Sequence, residues 1–113
     1  MKILVVDDEP FVALDISTTL SAAGCEVVGP AFSLQRALQL IEEKGCDAAI
    51  LDANLGAENA GPIAEALQAR GVPFLVLSGY AIEEFPDALQ RAPFLGKPYN
   101  PTELLALVRG LRA

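Results

Sequence analysis

The chain has no histidine and no tryptophan. Without histidine, every His-based mechanism is excluded, including nucleophilic triads and His-ligated zinc. Basic residues are scarce: 8 Lys and Arg stand against 15 Asp and Glu, for a net charge of −7. Phosphate contacts need clustered Lys and Arg, so direct nucleic-acid binding is not expected. There are two cysteines, Cys25 and Cys46, each beginning an apolar run. If those runs are strands flanking the first one, they lie about 10 Å apart, too far for a disulfide, and the thiols read as small buried hydrophobes. No apolar stretch approaches the roughly 20 residues that span a bilayer. Met1-Lys2-Ile3 runs straight into an apolar segment with no signal-peptide pattern, so a cytoplasmic protein away from membranes is expected.

What is present is a compact apolar chain. Its 113 residues suit one domain, 1–113, and a 52% hydrophobic content supports a true core. Four apolar runs each end in a particular polar group. Asp7 and Asp8 follow Ile3-Leu4-Val5-Val6, and Asp52 follows Ala48-Ala49-Ile50-Leu51. Ser78 follows Phe74-Leu75-Val76-Leu77, and Lys97 comes after Phe94-Leu95 and Gly96. Buried strands of a parallel sheet read as short continuous apolar runs. In such sheets, ligands and chemistry lie beyond the carboxyl ends of the strands.

The chain alternates strand and helix five times, with strands expected near 2–7, 25–29, 47–52, 73–78 and 93–96. The first helix is expected from Glu9 to Ala23, with Pro10 tolerated in its first turn. Ser33 is placed as the cap of the second, where Leu34, Ala37, Leu38 and Ile41 recur at helical spacing. Pro62 starts the third, with Ile63, Ala66 and Leu67 on its inner face. Asn100-Pro101-Thr102-Glu103 resembles a capping box opening the last helix, whose apolar face is Leu104, Leu105, Leu107, Val108 and Leu111. Gly24, Gly45 and Gly71 each stand between a helix and the next strand, as left-handed C-caps do. Residues 79–92 break the rhythm. Pro86 falls where the fourth helix belongs, so a short or displaced helix is expected there.

If the strand order is 2-1-3-4-5, a common order in doubly wound sheets, the ends of the first and third strands are adjacent. Asp7, Asp8 and Asp52 then crowd together, and like charges this close raise at least one pKa unless a cation intervenes. A few carboxylates completed by waters and substrate oxygens suit Mg²⁺. Glu9 is placed just outside the cluster, facing solvent or the helix start. Asp7 and Asp8 alone would read as loop acids capping a helix; the third Asp, at the end of another strand, tips the balance. Carboxylates can form acyl phosphates, which makes Asp52 the nucleophile candidate. Lys97 would hold a phosphoryl oxygen as a point charge, and a cis Lys97–Pro98 bond would aim it inward. The Ser78 hydroxyl can bond a phosphoryl oxygen.

Together, Val5-Val6-Asp7-Asp8-Glu9-Pro10, Leu51-Asp52-Ala53-Asn54-Leu55, Leu77-Ser78-Gly79-Tyr80 and Gly96-Lys97-Pro98-Tyr99 resemble the receiver domain of two-component response regulators. Each motif is weak alone; in this order and spacing the set is specific and spans essentially the whole chain. The resemblance implies an α/β, flavodoxin-like, doubly wound five-stranded parallel sheet, order 2-1-3-4-5, with helices on both faces. It implies that Asp52 is the phosphoacceptor, fed by a histidine kinase or a histidine phosphotransfer protein. Asp7, Asp8, Asp52 and the backbone carbonyl of Asn54 would hold Mg²⁺. Ser78 would be the switch hydroxyl and Lys97 the lysine of the family. The switch aromatic of many receivers, three residues before the lysine, is here Phe94, which rotates but cannot hydrogen-bond. Tyr80 is the candidate to cover the site in its place. The motifs partly match a subgroup of mostly single-domain receivers, and Gly56 stands where larger receiver families have proline.

The leading expectation is a phosphorelay module that signals by protein–protein contact with a downstream target, with homodimerisation after phosphorylation as in some receivers. No effector domain follows Ala113, which fits a stand-alone receiver or one cut from a longer chain. Three other classes were weighed. An Asp-nucleophile phosphatase wants a second Asp two residues after the nucleophile on the first strand, which is not the pattern of Asp7-Asp8-Glu9. The chain is therefore not expected to be an enzyme beyond self-phosphorylation and self-dephosphorylation. A phosphate-independent pseudo-receiver is disfavoured by the intact acidic set. A flavin carrier lacks a phosphate-cradling loop after the first strand.

Overall fold

The computed structural model describes residues 1–56, 58–79, 87–90 and 92–111. In chain order the elements are β1 (Lys2–Val6), α1 (Pro10–Ala22), β2 (Glu26–Ala31), α2 (Leu34–Glu43) and β3 (Ala48–Asp52). A two-stranded hairpin follows, β4 (Asn54–Leu55) and β5 (Glu58–Asn59). The chain continues through α3 (Gly61–Ala69), β6 (Phe74–Ser78), α4 (Asp87–Gln90), β7 (Phe94–Gly96) and α5 (Pro101–Leu111). The main sheet is parallel and five-stranded in the order β2-β1-β3-β6-β7. Setting the small hairpin aside, this is the expected 2-1-3-4-5.

Two apolar layers sandwich the sheet. Ile3, Val5, Ala48, Ile50, Leu75 and Leu77 pack with Ala13, Ile16 and Leu20 of α1 and Leu104 and Val108 of α5. Leu4, Val6, Ala49, Leu51 and Val76 pack with Ala37, Leu40 and Ile41 of α2, Ile63, Ala64 and Leu67 of α3, and Leu89 of α4. Alternate residues of each strand thus feed opposite layers, which is why these strands are apolar throughout. Cys25 and Cys46 are free and lie in different layers. Burial pushes the Cys46 thiol up from its ordinary pKa. Among the described residues, no helix is long and apolar enough to cross a membrane.

The helix caps follow the sequence. Ser33 accepts a hydrogen bond from the Arg36 N–H, 3.2 Å. Asn100 Oδ1 accepts from Thr102 and Glu103, at 2.8 and 3.3 Å. The expected inner face of α3, Ile63, Ala66 and Leu67, packs on the core and is widened by Ala64, which is fully buried where Ala66 is half-buried. The helix begins at Gly61, and both Ile63 and Ala64 turn toward the sheet. Pro86 lies outside the described residues, but the turn directly after it, Asp87–Gln90, is helical and anchored by a fully buried Leu89.

The largest departure is β2, which extends two residues past the expected end at Gly29. Leu4 is opposite Val28 while Val6 is opposite Ala31, so β2 carries one extra residue there. Gly29-Pro30 reads as a turn in isolation. On an edge strand, a bulge absorbs both residues and pairing resumes. The resumed pairing matters to the site, because the Asp7 N–H donates to the Ala31 carbonyl at 3.1 Å. Gly29 has φ +96, and a Cβ on it would lie 2.7 Å from the Ala31 nitrogen and 3.3 Å from the Val5 carbonyl oxygen. Gly45 has φ +68, with nothing within 4 Å of its would-be Cβ. We predict that Gly29→Ala costs about 2 kcal/mol or more, from backbone strain plus crowding, and Gly45→Ala about 1 kcal/mol, from strain alone. Urea unfolding of the two variants measures this, and equal losses would show that crowding at the bulge is not felt.

Candidate functional site

The carboxyl ends of β1, β3, β6 and β7 form one edge of the sheet. Asp7 follows β1, Asp52 ends β3, Ser78 ends β6 and Lys97 follows β7. The parallel register sets their relative heights: Val6 is opposite Leu51, Asp52 opposite Leu77, and Ser78 opposite Gly96. The Lys97 N–H donates to the Ser78 carbonyl, 3.0 Å, which extends the β6–β7 pairing by one residue and fixes where the lysine leaves the sheet. The Lys97–Pro98 peptide bond is cis.

Asp7, Ser78 and Asp52 are the buried polar residues of this edge, and Asp52 is 5% exposed. The Lys97 ammonium lies 3.0 Å from Asp7 Oδ2, 3.4 Å from Asp52 Oδ2 and 3.8 Å from Glu9 Oε1. Asp7 also accepts the Glu9 N–H on its other oxygen, 2.9 Å, a turn bond just ahead of α1, so it faces the lysine and fixes the loop at once. No side chain caps α1 itself, so Asp7 belongs to the cluster and not to the helix cap.

Asp7, Asp8, Glu9 and Asp52 each present a carboxylate oxygen, and these lie within 4.8 Å of one another. Glu9 faces solvent as expected, its side chain 66% exposed, yet its carboxylate also comes within reach of the cluster. It stands directly before α1, and its side chain lies 3.8 Å from the Lys97 ammonium. An acid directly after Asp7-Asp8 at a helix start was the available signal. Four carboxylates against one ammonium leave the cluster net negative. Burial pushes the Asp52 carboxyl up, the nearby Asp7 charge pushes it further, and Lys97 offsets part of this, leaving it at about 7. Burial alone would lower Lys97; its bond to Asp7 and the charges of Asp52 and Asp7 outweigh that and raise it. Clustered carboxylate oxygens with excess negative charge are a donor set that fits a hard divalent cation.

The hairpin after Asp52 supplies the rest of the site wall. The Ala60 N–H donates to the Ala53 carbonyl at 3.0 Å. Asn54 and Asn59, the next pair, then fall at a non-hydrogen-bonded position of the antiparallel ladder. The backbone polar groups of Asn54 therefore point away from β5. Its N–H reaches Asp52 Oδ1 at 3.4 Å, and its carbonyl lies along the same edge of the strand. An open cleft of about 510 Å³ is lined by Asp8, Glu9, Asp52, Asn54, Gly56, Gly79 and Lys97. Phe94 lies on β7 opposite Val76, with a side chain 36% exposed. Tyr80 lies outside the described residues. One contact had no forewarning in the sequence: the Tyr99 hydroxyl donates to Asp15 on α1.

The sequence matches the response regulator receiver domain family over residues 3–109. The chain belongs to that family. The receiver superposes on SdrG from Sphingomonas melonis Fr1 with a TM-score of 0.85 at 34% identity, covering all of this chain and 97% of that one. SdrG from Pseudomonas melonis Fr1 in its BeF3-activated conformation is similar at a TM-score of 0.82 and 34% identity, covering 99% and 96%. The transcriptional regulatory protein PdtaR of Mycobacterium tuberculosis H37Rv is 26% identical over 112 residues, 95% of this chain. The receiver spans about half of that relative, 54% of its length.

A raised Asp52 pKa has a consequence for stability. Below the ordinary value of 3.8, the carboxyl is protonated in folded and unfolded chains alike. Between there and about 7, the folded protein keeps the proton while the unfolded chain loses it, so the folded state loses ground as pH rises through that window. We predict that, with divalent cations chelated, the parent loses more stability between pH 4 and about 7 than Asp52→Asn does. Denaturation midpoints across that range decide it, and parallel curves for the two proteins would refute the shift.

Proposed function

We propose that the receiver accepts a phosphoryl group on Asp52 from the phosphohistidine of a histidine kinase or phosphotransfer protein, and signals by changing its contacts with another protein. The observation that carries this is the Asp52 carboxylate at the floor of an open cleft, 3.4 Å from the Lys97 ammonium and beside the acids of the cluster. An Asp52 oxygen attacks phosphorus, the phosphorus–nitrogen bond breaks, and the departing imidazole takes a proton from solvent. Catalysis here is positioning and charge neutralisation, so the fixed sheet edge is the working part. Lys97 holds a phosphoryl oxygen, exchanging a carboxylate partner for it. Ser78 donates its hydroxyl to another, drawing the end of β6 toward the phosphate. Asp7, Asp8, Asp52 and the Asn54 carbonyl would hold Mg²⁺, which neutralises charge on the transferring group. Water later attacks the phosphoaspartate and restores the carboxylate, so the chain acts as a timed switch and not as an enzyme on an outside substrate.

Response moves outward from Ser78 and Phe94 along β6 and β7. The cytoplasm, where histidine kinases present their phosphohistidine, is the matching compartment. The downstream partner is a protein. Pairing of two phosphorylated copies is a further route for output.

Incubation with Mg²⁺ and acetyl phosphate should add one phosphoryl group to the parent and none to Asp52→Asn, read by intact mass spectrometry. An adduct on the variant would remove Asp52 from the role. Mg²⁺ binding without an adduct from any donor would favour a phosphate-independent docking module. The division of labour between Asp7 and Lys97 is open to calorimetry. A unit charge about 4 Å away is worth up to ~4 kcal/mol near a protein surface, so Asp7→Asn should weaken Mg²⁺ at least about tenfold. Lys97→Ala removes a competing cation and should leave Mg²⁺ affinity unchanged or tighter, while impairing phosphorylation. Loss of Mg²⁺ binding in Lys97→Ala would overturn that division.

A further inference from the structure

Asp8 is held differently from its neighbours. Lys97 pairs with Asp7, Glu9 and Asp52, and no ion pair to Asp8 forms among the described residues. Its carboxylate instead accepts the main-chain N–H of Gly56, 2.8 Å away in space and 48 residues away in sequence. A charge-assisted bond from a backbone donor fixes a carboxylate more firmly than solvent does.

The donor is itself firmly placed. Gly56 sits at the tip of the β4–β5 hairpin with φ +65. Below it, Leu55 is buried, and the Ala60 N–H donates to the Ala53 carbonyl, 3.0 Å. Asn59 Oδ1 accepts the Gly61 N–H at the start of α3, 2.8 Å. The hairpin is therefore an arm that starts at Asp52, is anchored at both ends, and presents one N–H to the acid across the cleft.

We infer that Gly56 is a positioning residue for the cation site: its N–H holds the Asp8 carboxylate in the cluster before a divalent cation arrives. This rests on the reading of Asp8 as a cation ligand. Ligand carboxylates are commonly oriented by hydrogen bonds from a surrounding shell, and losing such a bond costs metal affinity roughly 10- to 100-fold. Without it, Asp8 would turn freely among solvent-facing rotamers and lose that freedom on binding. Position 56 also bears on which residues suit this role. A proline has no N–H to give, so a receiver with proline there must orient the equivalent acid in another way. Because coupling is reciprocal, cation binding also stiffens the hairpin immediately after the phosphoacceptor.

The test compares two substitutions by Mg²⁺ calorimetry. Gly56→Ala keeps the N–H, and nothing lies within 4 Å of the added Cβ, so its cost is confined to backbone strain. Gly56→Pro removes the N–H and also strains the hairpin, because proline locks φ at about −65° where Gly56 has +65°, so its effect is read as the difference between the parent and Asp8→Ala backgrounds. The expected result is Mg²⁺ affinity near that of the parent for Gly56→Ala and about tenfold weaker for Gly56→Pro. In an Asp8→Ala background, the proline should cost clearly less than in the parent, because the bond it removes is already gone and only the strain of the hairpin remains. Equal losses in both Gly56 variants, or the same proline penalty with and without Asp8, would overturn the inference. So would a parent-like Gly56→Pro. Should the proline variant not fold, NMR of the parent decides. Scalar coupling between the Gly56 amide nitrogen and the Asp8 carboxyl carbon should be present before and after Mg²⁺ addition, and its absence in both states overturns the inference. A parent that takes up no Mg²⁺ but still labels on Asp52 would sink the role of Asp8 as a ligand, and the positioning role with it, while leaving the phosphoacceptor standing.

Discussion

One ammonium shared among buried carboxylates governs the working edge of this receiver. Lys97 touches Asp7, Asp52 and Glu9, and each contact is charged. Burying two acids side by side is costly, because each loses water and repels the other. The lysine offsets part of that cost, and the remainder appears as the raised Asp52 carboxyl. A site left short of positive charge is thereby primed for a cation. The surrounding fold can be viewed as the means of keeping these groups together. The parallel register sets the depth of each strand end, and the Ala31 carbonyl and the Ser78 carbonyl each hold a flanking backbone N–H in line.

The sheet was legible in the sequence because its strands are buried on both faces, so apolar runs and strands coincide. Helix starts were legible where a side chain caps them, as at Ser33 and Asn100. The extension of β2 was not, because Gly29-Pro30 has the local signature of a turn, and only the neighbouring strand makes it a bulge. The inner face of α3 is wider than its spacing announces for a related reason: in a short helix of small residues, Ala64 packs on the sheet beside Ile63 and Leu67, with Ala66 at the margin of the same layer.

At the site, the acids at strand ends could be placed together once a 2-1-3-4-5 strand order was assumed, and the sheet has that order. Glu9, at the helix start, is solvated as such a position ordinarily is, and only the place of Lys97 brings its carboxylate within reach of the cluster. The hairpin after Asp52 had no alternating pattern to announce it, being two residues per strand. The contacts from Gly56 to Asp8 and from Tyr99 to Asp15 join segments 48 and 84 residues apart. No window along the chain can contain such pairs. They exist because the topology folds distant loops onto one edge.

The Tyr99–Asp15 bond makes α1 and the lysine two arms of one short lever. Tyr99 is two residues beyond Lys97, and its ring is pinned to the second turn of α1. Phe11 stands on the preceding turn, 88% exposed, and Leu14 is exposed beside Asp15. Burial, the bond to Asp15 and the charges of Asp15 and Asp7 push the phenol above its ordinary range, so the hydroxyl keeps the proton it donates. The outer face of α1 and the Lys97 ammonium beside Asp52 are thus joined by a short chain of contacts at the rim of the sheet.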